Sequence, residues 1–232
     1  MGWCIIINMP SKNSIKQYVE NGIYHIYNRG INKQDIFLDD QDYSTFLFYL
    51  KLYLDNPDNL KDLDPQKKAC FVRKNFNNSI DLLCYCLMPN HFHLILRQSS
   101  EKDIIDFMRC VATNYSMYFN KKYDRVGYLF QGRYKAVLVN SDNYLFHLSR
   151  YIHLNPFAIQ SGKGASLAEE YKYSSYANYL GLKYTNWLKP ELILEYFDQQ
   201  KDQNIIAKSI YKEFIEDYEI DSKEILGDLV IE

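Results

Sequence analysis

The chain has 232 residues, 47% hydrophobic and 24% charged, a composition that can bury a core and excludes a disordered or fibrous chain. No apolar run approaches transmembrane length, and the start, Met1-Gly2-Trp3-Cys4-Ile5-Ile6-Ile7-Asn8, is too short for a signal-peptide core and lacks a basic flank, so a cytoplasmic protein without a membrane partner is expected. Net charge is −2 but uneven: from Leu188 onward 5 Lys stand against 12 Asp and Glu, whereas the preceding 187 residues hold 22 basic and 17 acidic groups. A mildly basic body with an acidic tail is compatible with nucleic-acid binding.

In chain order, residues 1–19 read as an N-terminal extension. Gly22 to Gly30 alternates and is rich in aromatics, which predicts a first strand. Asp39-Asp40-Gln41-Asp42 gives N-terminal signals for a helix over Tyr43 to Leu54. Asp55 to Asn78 reads mostly as loop. Ile80 to Leu87 and His91 to Arg97 are two strands joined by a tight Pro89-Asn90 turn, an antiparallel hairpin.

Ser100 and Asp103 suggest a capped helix start, followed by an apolar stripe at Ile104, Met108, Val111, Tyr115 and Tyr118. Lys121 to Lys135 is basic and interleaved with tyrosines. Arg133 to Val139 reads as a fourth strand, and Ser141-Asp142 caps a helix expected to end before Pro156. Tyr171 to Leu182 is rich in Tyr and Ser, Leu192 to Asp217 is broadly helical, and the tail from Glu219 is acidic. The order strand, helix, two strands, helix, strand, helix predicts an α+β fold, an antiparallel sheet with helices on one face.

Five cysteines (Cys4, Cys70, Cys84, Cys86 and Cys110) are an odd number without framework spacing, which predicts free buried thiols, with Cys84 and Cys86 on one strand face. The 22 tyrosines fill cores or stack on unpaired bases, and their number does not decide between the two.

The stretch that carries chemistry is Met88-Pro89-Asn90-His91-Phe92-His93. Side chains alternate along a strand, so His91 and His93 share a face, their backbones roughly 6–7 Å apart. Two imidazoles so placed can close on one metal ion, or simply hydrogen-bond within a half-buried sheet. On the helix before Pro156, His147, Tyr151 and Asn155 are spaced by four and line one face that could meet the histidines, or form an ordinary polar flank. His25 and His153 read as structural. Arg125, Arg133 and Lys135 are candidate phosphate contacts against the alternative of a solvated surface. Asn28 and Arg29 are DNA contacts or a turn.

These residues carry a family resemblance. The His91-Phe92-His93 block is similar to the histidine-hydrophobic-histidine motif of the HUH single-tyrosine transposases. Tyr24-His25-Ile26-Tyr27-Asn28-Arg29-Gly30, Phe130-Gln131-Gly132-Arg133-Tyr134-Lys135 and Tyr151-Ile152-His153-Leu154-Asn155-Pro156 resemble that family's flanking blocks, in the same order, and most closely those of the REP-associated branch. The resemblance implies a ferredoxin-like catalytic domain over 20–157, with a mainly helical appendage and acidic tail over 158–232.

It places the nucleophile at Tyr151 and metal ligands at His91 and His93. Asn155 stands where the wider family often completes the metal site with a Gln, and its shorter amide can still offer a carbonyl oxygen as the third ligand. It further implies cleavage and rejoining of single-stranded or hairpin DNA through a 5′-phosphotyrosine, aided by Mg²⁺ or Mn²⁺, and leaves a homodimer open. The main alternative is a hairpin-binding protein of the same fold without catalysis. A metal-dependent hydrolase is a second, for which the chain offers no further cluster of His or Asp ligands near the motif.

Overall fold

The computed structural model describes residues 17–61, 74–158, 169–197 and 204–216. Most of the expected N-terminal extension and the whole acidic tail lie outside them. Four strands, β1 (Ile23–Arg29), β2 (Ile80–Met88), β3 (His91–Gln98) and β4 (Lys135–Leu138), form an antiparallel sheet in the order β2-β3-β1-β4. Six helices accompany it among the described residues: α1 (Asp40–Leu54), α2 (Asp103–Lys122), α3 (Asp142–Ala158), α4 (Tyr176–Tyr179), α5 (Glu191–Phe197) and α6 (Asn204–Glu216). None of them is long and apolar enough to cross a membrane. The α+β, ferredoxin-like expectation holds.

The alternation of the strands sorts the core into two layers. Tyr24, Ile26, Phe92, Leu94 and Leu96 point to one face, where α1 and α2 cover them with Phe46, Leu50, Phe107, Val111 and Tyr115. Cys84, Cys86 and Ile95 point to the other face, covered by Leu145, Leu148 and Ile152 of α3 and by Tyr176, Tyr179, Ile193, Leu194, Tyr211 and Ile215. The paired ferredoxin-like helices thus share one face, while α3 and the C-terminal helices pack on the opposite one. Cys84 and Cys86 are free and buried.

Local signals explain the boundaries. A reciprocal capping box between Asp39 and Asp42 starts α1 three residues before Tyr43. Asp42 is buried and also receives Lys122 Nζ at 2.8 Å and Tyr123 Oη at 2.7 Å, which ties the end of α2 to the start of α1. Ser100 does not cap α2 through its side chain. The Asp103 carboxylate takes the Ser100 N–H instead, and Gln98 Oε1 takes that of Ile104. The stripe Ile104, Met108, Val111 and Tyr115 is buried as expected.

The expectation that α3 stops before Pro156 is corrected: the helix includes Pro156 and runs to Ala158. Proline forfeits one N–H and crowds the carbonyl four residues back, a cost confined here to the last turn.

β2 is an edge strand, and an open edge invites unwanted pairing. Here the Tyr/Ser-rich segment closes it. Ser175 N–H donates to Tyr85 O while Ser175 Oγ accepts the Tyr85 N–H, Leu87 N–H donates to Tyr173 O, and Tyr179 Oη donates to Leu83 O at 2.7 Å. Gly30, at the end of β1, is required by close approach, since a Cβ there would lie 2.1 Å from the Gln34 carbonyl oxygen.

Candidate active site where β3 meets α3

The register fixes the first half of the site. Tyr27 pairs with His93 and Arg29 with His91, all on the sheet face that α3 covers. His93 is fully buried and His91 nearly so; their rings stand perpendicular with centroids 5.0 Å apart. The Pro89-Asn90 turn holds this end of the sheet, its Pro89 carbonyl accepting from Ile36 and Phe37 and its Asn90 carbonyl from Gly30.

The second half comes from α3. Tyr151 meets His93 edge to face at 5.5 Å between centroids, and Asn155, one turn on, brings Oδ1 to 3.3 Å from His91 Nε2. His147 does not join them: its ring lies 5.6 Å from that of Phe214 on α6. Two of the three polar residues on that helix side therefore reach the histidines.

Burial is the largest electrostatic effect. It lowers the His91 pKa to about 4, with the Arg29 charge adding to the effect and the Asn155 contact opposing it. His93 is held well below the ordinary value by burial first, then by the neighbouring His91, His25 and Arg29. Both imidazoles are therefore neutral near pH 7, the form that ligates metals.

The donor set fits a divalent cation. His93 Nε2 is buried and has no hydrogen-bond partner among the described residues. The 3.3 Å between His91 Nε2 and Asn155 Oδ1 is close to the ~3 Å that separates adjacent ligands of an octahedral ion with bonds of about 2.1 Å. Among the described residues no group of three His, Cys, Asp or Glu forms a metal site, so the Asn155 amide is the natural third donor. Two nitrogens and one oxygen suit Mn²⁺ more readily than Mg²⁺.

The other candidates are spread along the end and edge of the sheet. Arg29 lies across from His91, and Lys135 pairs with Tyr27 on β4. Asn28 is mostly buried; its Nδ2 donates to Gly132 O at 3.1 Å while its Oδ1 accepts the Arg29 N–H at 3.0 Å. It thus pins the loop before β4 to the end of β1. Arg133 is exposed on that loop, and Arg125 reaches Gln34 at 3.2 Å and lies over Phe119. Neither arginine is brought into the histidine cluster. Lys122 is spent on Asp39 and Asp42.

Three neighbours of the site were not assigned to it by sequence reasoning. His25, read as structural, has its Nε2 2.9 Å from His93 Nδ1. Asn90 Oδ1 is 2.6 Å from His91 Nδ1, and the Tyr27 ring lies 6.1 Å from that of His93. The alternation of β1 puts His25 and Tyr27 on one face, but only the register with β3 reveals what they meet.

Residues 60–155 match the sequence model of a family described as IS200-like transposases, and the match ends on Asn155. The chain is similar to the single-tyrosine transposases. The solved structure of a REP-associated tyrosine transposase bound to a REP hairpin superimposes with a TM-score of 0.52 at 14% identity, over 77% of this chain and 92% of that one. That likeness shows the shared fold. A candidate transposase from Deinococcus radiodurans R1 aligns at 15% identity over 61% of this chain and 95% of its own, with a TM-score of 0.36, too loose a superposition to bear on the fold. A comparison with curated proteins finds no match. The transposase-like segment contains His91, His93, Tyr151 and Asn155, whereas β1, with Tyr27 and Arg29, precedes it.

Proposed function

We propose that this transposase-like chain cleaves and rejoins single-stranded DNA next to a hairpin, with Tyr151 as nucleophile. The observation that carries the reading is the meeting of Tyr151 and Asn155 on one helix with His93 and His91 on one strand. In the reaction the Tyr151 oxygen attacks a backbone phosphorus and the phenolic proton is lost. The bond from phosphorus to the 3′ oxygen of the preceding nucleotide breaks, and that oxygen takes up a proton. A 5′-phosphotyrosine and a free 3′-OH result. Attack by a 3′-OH on the phosphotyrosine reverses the step and releases the tyrosine. One phosphoester replaces another, so no energy cofactor is needed.

A free phenol titrates near ~10 and is a weak nucleophile at neutral pH. A divalent cation, Mg²⁺ or Mn²⁺, held by His91, His93 and Asn155, would polarise the scissile phosphate and offset its developing negative charge. Burial keeps the two imidazoles neutral and holds them rigidly. Arg29, Arg125, Arg133 and Lys135 are proposed to meet phosphates, which fix the position of a strand without reading its sequence. Asn28 holds the Gly132 loop in place and is proposed to support a DNA contact there.

The test is incubation with a labelled library of hairpins bearing single-stranded flanks, plus Mn²⁺, read on a denaturing gel. A labelled protein band that survives denaturation, and whose nucleotide maps to the Tyr151 peptide, is the expected result. Hairpin binding with no covalent band would make this a catalytically silent binding protein, and cleavage without an adduct would favour a metal hydrolase.

A further inference from the structure

Each histidine of the proposed cation site has two ring nitrogens, and only an unprotonated one can ligate. The hydrogen bonds behind the rings decide which nitrogen that is. His91 Nδ1 lies 2.6 Å from Asn90 Oδ1, and Asn90 Nδ2 in turn donates to the Lys33 carbonyl oxygen at 3.3 Å. The carbonyl can only accept, so the Asn90 amide nitrogen faces Lys33 and its oxygen faces His91. An amide oxygen also only accepts. His91 therefore carries its proton on Nδ1 and leaves a lone pair on Nε2, the atom 3.3 Å from Asn155 Oδ1. Two acceptors converge there, an arrangement that a cation stabilises.

At His93 the partner is another imidazole. His25 is fully buried, its ring stacks on that of His93 at 5.1 Å, and His25 Nε2 lies 2.9 Å from His93 Nδ1. One of the two nitrogens must donate. If His25 donates, His93 holds its proton on Nε2, the buried atom with no partner among the described residues, and cannot ligate. If His93 donates, its Nε2 lone pair faces the site beside that of His91.

We infer that Asn90 and His25 are positioning residues, each accepting the Nδ1 proton of a site histidine, so that His91 and His93 both present an Nε2 lone pair to one divalent cation. The inference rests on the proposed cation site. It assigns the hydrogen bonds that orient the ligands, contacts whose loss commonly weakens metal binding 10- to 100-fold. In this arrangement His25 keeps its own proton on Nδ1, which is buried and lacks a partner among the described residues.

The experiment is long-range ¹⁵N–¹H NMR of the metal-free full chain, paired with Mn²⁺ titration by calorimetry. Both site histidines should show a protonated Nδ1 and a bare Nε2. Asn90→Ala should weaken Mn²⁺ binding by roughly 10- to 100-fold with little change in melting temperature, and Asn90→Asp, which keeps an acceptor, should restore it. His25→Gln, whose amide oxygen can stand near the old Nε2, should bind Mn²⁺ better than His25→Leu. The NMR result on the wild-type chain stands even if the buried His25 variants fail to fold. Protonated Nε2 atoms, or Asn90→Ala binding Mn²⁺ like wild type, would overturn the inference. A wild-type chain whose Mn²⁺ binding is indifferent to His91→Ala and His93→Ala would instead overturn the cation site beneath it.

Discussion

His93 on β3 and Tyr151 on α3 meet edge to face, with ring centroids 5.5 Å apart and planes at 86°. An aromatic edge against an aromatic face is a favoured contact, and it fixes which side of α3 turns toward the sheet. Asn155, one turn further on the same side, then necessarily faces His91.

That relationship singles out Tyr151 among the tyrosines. Tyr144 lies nearly two turns before Tyr151 on α3, about 10 Å further from Asn155 along the axis at 1.5 Å per residue, and burial raises its pKa to about 12. Tyr134 has its hydroxyl 2.7 Å from that of Tyr18. Tyr151→Phe should therefore bind hairpin DNA and Mn²⁺ like wild type yet form no covalent adduct. A persisting adduct, or one that maps to Tyr134 or Tyr144, would assign a different nucleophile.

The paired histidines yield a second prediction. His91→Ala and His93→Ala should each reduce adduct formation by at least ~100-fold, because a transition-state charge stabiliser worth about 3–4 kcal/mol is lost. His91 lies near the turn and its variant should stay folded. His93 is fully buried, so a melting curve must accompany its assay. Wild-type rates in either variant at saturating Mn²⁺ would remove the cation from the mechanism.

The sheet, its hairpin and the placement of Tyr151 were legible in sequence because each rests on short-range pattern. Alternation put His91 and His93 on one face, and a four-residue step put Asn155 beyond Tyr151. What escaped depends on long-range register. His25 meets His93 only because β1 pairs with β3, and Asn90 acts through a side chain that reads locally as a plain turn residue. The C-terminal segment, read as an appendage, closes the β2 edge through contacts spanning about 90 residues, such as Tyr85 to Ser175. The expected stop before Pro156 rests on the general rule that proline breaks a helix interior, whereas α3 carries Pro156 within its last turn.

DNA affinity provides a third prediction. The loop after α2 is anchored by buried Leu129 and Phe130, yet it carries Val126 and Tyr128 in the open, Tyr128 at 84% exposure, between Arg125 and Arg133. Arg125→Ala and Arg133→Ala should weaken binding to all sequences and lower the salt slope by roughly 0.7–0.9 per lost contact. Tyr128→Ala should cost about 1–3 kcal/mol only on DNA with unpaired flanks, where bases can stack on the ring. Unchanged salt slopes in both arginine variants would place the DNA path elsewhere.

Acid should destabilise the fold. Burial lowers the pKa of His25 and of His153 to about 3 and of His91 to about 4, against an ordinary value near 6.5 in the unfolded chain. The unfolded state therefore binds more protons below that value. Stability is complete above pH 6.5 and falls as pH drops toward 4, by up to roughly 1.4 kcal/mol per pH unit for each histidine. Melting temperatures that stay flat between pH 7 and 4.5 would mean that these rings protonate freely in the folded state.

The final prediction concerns the helix that joins the C-terminal segment to the nucleophile. Tyr211 on α6 is fully buried; its hydroxyl lies 2.8 Å from His153 Nδ1 and 3.0 Å from Ser149 Oγ, both on α3. His153 Nε2 continues the chain to Ser175 Oγ at 2.8 Å, so one polar path links α6, α3 and the segment along β2. Tyr211→Phe keeps the ring and its packing but strands two buried groups, which should cost about 1–3 kcal/mol. Truncation after Trp187 is far harsher, since it also strips Ile193, Leu194 and Ile215 from the layer that packs with α3, and Leu188 from the core layer on the opposite face. It should yield an unfolded or aggregating chain rather than one with altered DNA affinity. Because α3 carries Tyr151, Tyr211→Phe should also slow adduct formation while leaving hairpin binding intact. A truncated chain that melts at the wild-type temperature, or a Tyr211→Phe variant with no loss of stability, would show that α3 holds its place without this support.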